Sequence, residues 1–97
     1  MSDFDTLVNT MAAFMRKQLL VNNHKPNGNE ETFGDLLLCL HSERLEFLQE
    51  LSNPDSTPNS IWEEAADFCN RIAMVSDSAV RRKFEAAEKK DQAAKVP

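Results

Sequence analysis

The stretch that decides the fold is SERLEFLQELSNPDSTPNSIWEEAADFCNRI, Ser42 to Ile72. Its centre, Ser52 to Ser60, sets two prolines among Ser, Asn, Asp and Thr, a composition that ends regular structure and turns the chain. On both flanks apolar residues return at three- and four-residue steps, the period of a helix with one buried face. The reading is helix, turn, helix. Ser60 and Glu63 form an S-x-x-E capping box, which starts the downstream helix at Ile61 and carries it to about Val75. Both helices place acids beside the face they must bury. Glu43, Glu46 and Glu50 share a narrow side next to Leu37, Leu40, Phe47, Leu48 and Leu51. Glu64 and Asp67 lie next to Ile61, Ala65, Phe68, Cys69 and Ile72. If the two apolar faces pack antiparallel across the turn, the acidic edges meet.

Toward the N-terminus, NNHKPNGNEE, Asn22 to Glu31, is a second breaker. Thr32 then caps the helix that contains Glu43, with Asp35 at its third position. Before the breaker, Phe4, Leu7, Val8, Met11, Phe14, Met15 and Leu19 form an apolar stripe on a helix from Asp3 to Val21. Toward the C-terminus, Ser76, Asp77 and Ser78 offer N-caps for a fourth helix that runs to about Ala87 or on to Lys95. Residues 88–97 have little to bury and are expected to fray. The sequence therefore predicts an all-α fold: one domain over 1–97, a four-helix chain forming an oligomeric helical bundle. The first helix carries more apolar surface than two short partners cover, so a second subunit is expected to complete the bundle.

Composition agrees with helices and narrows function. The chain has 97 residues, no Tyr and two Gly, and it is rich in Ala, Leu, Glu and Lys. A domain of this size buries roughly 65% of its unfolded surface, so its core is thin. The net charge of −5 disfavours duplex nucleic acid, whose phosphates require clustered Lys and Arg. Cys39 and Cys69 both lie in helical patterns and read as reduced, packed thiols; without a CxxC or a histidine cluster they make no zinc site. No apolar run approaches the ~20 residues of a membrane span. No leader segment is evident, so the cytoplasm is the expected compartment.

Converging carboxylates repel and raise one another's pKa unless a cation offsets them. Mg²⁺, or Mn²⁺ in its place, takes oxygen ligands in octahedral geometry and suits acids at i, i+3 on two helices. Glu43, Glu46, Glu64 and Asp67 are the candidate metal ligands. The ordinary reading of any one of these pairs is a solvated helix face, since Glu is a good helix former. Only their joint placement beside two apolar arcs points to a metal.

Glu43-x-x-Glu46, seventeen residues, then Glu64-x-x-Asp67 resembles the signature of MazG-like, all-α nucleoside triphosphate pyrophosphohydrolases. LHSERLEFLQEL resembles the first acidic helix of that family, and WEEAADFCNRI resembles its EELADVL segment. The resemblance spans about Leu20 to Lys83. It implies Mg²⁺-dependent hydrolysis of a nucleoside triphosphate to the monophosphate and pyrophosphate. It also implies a homo-oligomer, dimer or tetramer, that clears non-canonical or excess nucleotides, with dCTP among the expected substrates. By the same resemblance the four acids hold the metal, and Glu46 is the choice for the group that orients or deprotonates water. Lys17, Lys25, Arg71 and Lys83 are candidate phosphate-binding cations, Trp62 a candidate base-stacking ring, and Asn70 a residue that faces the site. The pattern departs from the family at Ala87, where many relatives carry Asn, and in lacking an Arg-Tyr ending. The competing reading is a non-catalytic acidic helical module that binds a basic protein partner. A third reading, a di-iron carboxylate bundle, is disfavoured because no Glu-x-x-His pair is present.

Overall fold

The computed structural model describes residues 3–21 and 32–95. Among them are three α-helices and no strand: α1, Asp3–Val21; α2, Phe33–Ser52; and α3, Pro58–Lys95. The all-α expectation stands, and α1 has the predicted ends. The count of four does not stand, because the expected third and fourth helices are one helix of 38 residues. The Ser76–Ser78 caps go unused. No Pro or Gly interrupts the chain there, and Ser and Asp cost only a few tenths of a kcal/mol in a helix interior. Asp77 also pairs with Arg81 one turn on, at 2.8 Å, which supports the helix across the would-be break. The helix reaches Lys95, the farther of its two expected ends. Lys25 lies outside the described residues.

The turn between α2 and α3 is built by its own side chains. Ser56 N–H donates to the Asn53 carbonyl at 3.1 Å across Pro54, and Asp55 N–H donates to Asn53 Oδ1 at 3.0 Å. Pro at the second position and Asn at the first suit such a turn. The start of α3 differs from the sequence reading. Thr57 and Ser60 exchange side-chain bonds to each other's backbone N–H, at 3.1 and 2.9 Å, and Pro58 takes the first helical position. Ser60 therefore sits inside the first turn, three residues later than the cap. At α2 the Thr32–Asp35 capping box forms as expected, with both bonds at 3.1 Å.

Both α1 and α2 pack against α3, and they do not approach each other. From Ser60 to Arg71, α3 is therefore buried or half-buried all round, and Ala66, the tightest position, is 0% exposed. Ala65 and Ala66 are the only buried apolar residues among those described, and their small side chains let the helices approach closely. Among the described residues α3 alone packs on α2, and the face turned to it is Leu36, Leu40, Glu43, Phe47 and Glu50, all half-buried. Leu37, Leu48, Leu51 and Ile72, expected in the buried arcs, are exposed. Phe47 meets Phe68 across this seam with ring centroids 6.1 Å apart. No helix among the described residues is long and apolar enough to cross a membrane.

Candidate metal centre

The α2–α3 seam brings together Glu43 from α2 with Glu64 and Asp67 from α3; one carboxylate oxygen of each lies within 4.8 Å of the others. All three residues are half-buried. Burial, then the Glu46 and Asp67 charges, a hydrogen bond shared with Glu46 and the Glu64 charge push the Glu43 carboxyl up to about 7. Glu64 is also raised, first by burial and then by Asp67, Glu46, Glu50 and Glu63. Glu43 Oε2 and Glu64 Oε2 are buried without a hydrogen-bond donor. Carboxylate oxygens in that condition are destabilising unless a proton or a cation meets them.

A divalent cation fits this donor set. An octahedral Mg²⁺ has opposed oxygens about 4.2 Å apart, twice its usual bond length. A set already within 4.8 Å reaches that span with small side-chain adjustments. The ligands are hard oxygens from three carboxylates, the type that Mg²⁺ and Mn²⁺ take. Glu46, the fourth expected ligand, does not join the group. It is exposed, and it stands close enough to raise both Glu43 and Glu64. Glu50 is held elsewhere: Ser60 Oγ donates to its carboxylate and Ser56 Oγ to its carbonyl. The Ser60 bond, with a lesser contribution from Ser56, lowers its pKa.

Gln18 was not among the expected site residues, yet it is 6% exposed and is the one buried residue of α1. Its side-chain amide donates to both oxygens of Asp67, at 3.2 and 3.3 Å. The available signal was an amide inside an apolar stripe, four residues after Phe14 and three after Met15, where a buried polar group needs a partner.

The remaining candidates divide. Lys17 makes an ion pair with Glu63 at 3.2 Å and lies 5.5 Å over the Phe14 ring, at the α1–α3 seam. Trp62 stacks on Phe14, with centroids 5.9 Å apart and planes 14° off parallel. It also lines an apolar groove of about 380 Å³ with Leu7, Val8, Met11, Ala12 and Met15. Asn70, 4% exposed, donates to the Met15 carbonyl at 3.0 Å and ties α1 to α3 instead of facing the acids. Arg71 is half-buried; its guanidinium reaches Met74 Sδ at 3.8 Å, and its Nε is buried without a partner. Lys83 is exposed on the distal half of α3. The chain matches no protein-family model, no curated protein and no solved structure.

Proposed function

We propose that the protein is a Mg²⁺-dependent nucleoside triphosphate pyrophosphohydrolase of the MazG-like kind, which converts a (deoxy)nucleoside triphosphate and water to the monophosphate and pyrophosphate. The observation that carries the reading is the approach of Glu43, Glu64 and Asp67, from two helices, to within 4.8 Å. Two of the three, Glu43 and Glu64, also carry a buried oxygen without a hydrogen-bond donor. Glu43, Glu64 and Asp67 are the residues that would hold the ion. When bound, a divalent cation supplies charge neutralisation at the triphosphate and polarisation of the α-phosphorus.

Glu46 suits the base. It is exposed at the lip of the cluster, where a water can reach it, and it is adjacent to Glu43. It takes the proton of the attacking water; the new bond forms to the α-phosphorus, the α–β anhydride bond breaks, and pyrophosphate leaves with the electron pair. Lys17 offers a cation on the α1 side, released from Glu63 at little cost because exposed ion pairs contribute at most about 1 kcal/mol. The role in nucleotide house-cleaning, with dCTP as first substrate to try, and a homo-oligomeric state belong to the same proposal.

The competing module that binds a basic partner has one observation in its favour, the exposed Glu46 beside Glu43. Two measurements separate the readings. Millimolar Mg²⁺ or Mn²⁺ raises the melting temperature of a metal enzyme, by the equivalent of about 2.7 kcal/mol at a hundred times Kd. A panel of canonical and modified triphosphates, scored for pyrophosphate, identifies the substrate. Glu46→Gln is expected to lower turnover by roughly 10²–10⁴-fold, and Asp67→Asn to abolish it, with the helical signal retained. Unchanged turnover in both variants, or no thermal response to metal, removes the enzyme reading.

A further inference from the structure

Gln18 occupies a costly position. It lies within the apolar stripe of α1, between Phe14 and Leu19, where an aliphatic side chain would pack without needing a partner. It is nevertheless the one residue of α1 that is buried, and its amide reaches the carboxylate of Asp67 through both oxygens. Asp67 is thus shared. On one side it meets Gln18 of α1, and on the other it converges with Glu43 and Glu64. The rest of the α1 attachment is the Asn70 bond to the Met15 carbonyl, the Lys17–Glu63 pair and the Phe14–Trp62 stack. Phe4, Leu7, Val8, Leu19 and Leu20 are exposed, and α1 gains nothing from α2.

We infer that Gln18 is a positioning residue that couples the docking of α1 on α3 to cation binding at the Glu43–Glu64–Asp67 cluster. The inference rests on the metal-centre reading above. An amide donor on a ligating carboxylate fixes its rotation, and loss of such an outer partner costs metal affinity 10- to 100-fold in well-studied sites. A cation that draws one Asp67 oxygen leaves the other to Gln18, so both attachments are satisfied together. Coupling of this kind is reciprocal: if docked α1 strengthens cation binding, cation binding must strengthen the docking of α1 by the same factor.

The test uses the full chain and Mn²⁺ as the probe. Gln18→Met keeps length and apolar bulk and removes the donor. Mn²⁺ binding, followed by the electron paramagnetic resonance of the free ion, is expected to weaken about 10- to 100-fold in this variant. In the unsubstituted protein, Mn²⁺ is expected to slow amide hydrogen exchange across α1, a readout that requires no variant and no turnover. Equal Mn²⁺ affinity in Gln18→Met and the unsubstituted chain overturns the coupling and leaves the metal site standing. Exchange across α1 that ignores Mn²⁺, in a protein that binds it, also overturns the coupling. Absence of Mn²⁺ binding in the unsubstituted protein overturns the metal reading and the coupling together.

Discussion

Glu43 is where burial and charge are most strongly opposed. Its carboxyl titrates near 7, well above the roughly 4.3 of an unfolded glutamate. The folded state therefore holds a proton that the unfolded chain has already released. Its stabilising contribution is complete below about pH 4.5 and is lost as pH rises through 7, and Glu64 shifts in the same direction. The melting temperature without metal is expected to fall between about pH 5 and 8, and millimolar Mg²⁺ is expected to flatten that fall by replacing the proton. Calorimetry across this range with and without Mg²⁺ checks both; a metal-free melting temperature that climbs with pH contradicts the account. The approach of Glu43, Glu64 and Asp67 was legible in the sequence because each lies beside an apolar arc, and the two arcs pack together across the α2–α3 turn. Glu46, expected beside them, is exposed and stands outside that group. It lies about 60° around the helix from Glu43, and a helical wheel gives direction without depth. Gln18 stood out only as an amide in an apolar stripe; its partner lies 49 residues away, and no local pattern encodes that distance.

At the scale of elements, α3 is the spine. The sequence revealed α1 and α2 well because Pro, Gly and Asn mark their ends and Thr32 and Asp35 supply a cap. It overcalled a break at 76–78 because Ser and Asp are cap residues only where the chain must start anew, and no breaker precedes them. It also missed Ala66. A helix wheel that assumes one buried face cannot identify a residue enclosed between two partners. That position yields a prediction. Ala66→Leu overpacks the closest approach and is expected to cost about 1–3 kcal/mol. Ala87→Leu, on the exposed distal half, is expected to stay within about 0.5 kcal/mol of the parent. Chemical denaturation of the two variants checks the difference; equal effects would mean that α3 is not gripped from two sides.

The whole molecule is extended for its size. Its radius of gyration is 17.6 Å, against about 13 Å for a compact chain of this length. Phe84 is 68% exposed, no large side chain is fully buried among the described residues, and α2 turns Leu38, Leu45 and Leu48 outward. Such a surface is expected to associate with a second copy, as composition already suggested from the thin core. Sedimentation at low micromolar concentration should give a dimer or larger species, and Leu38→Lys combined with Leu45→Lys should shift it toward monomer with helicity kept. A monomeric parent protein contradicts this.

The separation of α1 from α2 also orders events in time. The α2–α3 hairpin closes through residues 53–57, a short loop with a small entropic cost, whereas Lys17, Gln18 and Met15 must find Glu63, Asp67 and Asn70 across 46 to 55 positions. Refolding should therefore zip the hairpin first and recruit the amino-terminal helix afterwards. Trp62, stacked on Phe14, is a natural reporter of that late arrival: in stopped-flow experiments its emission should lag the far-ultraviolet dichroism.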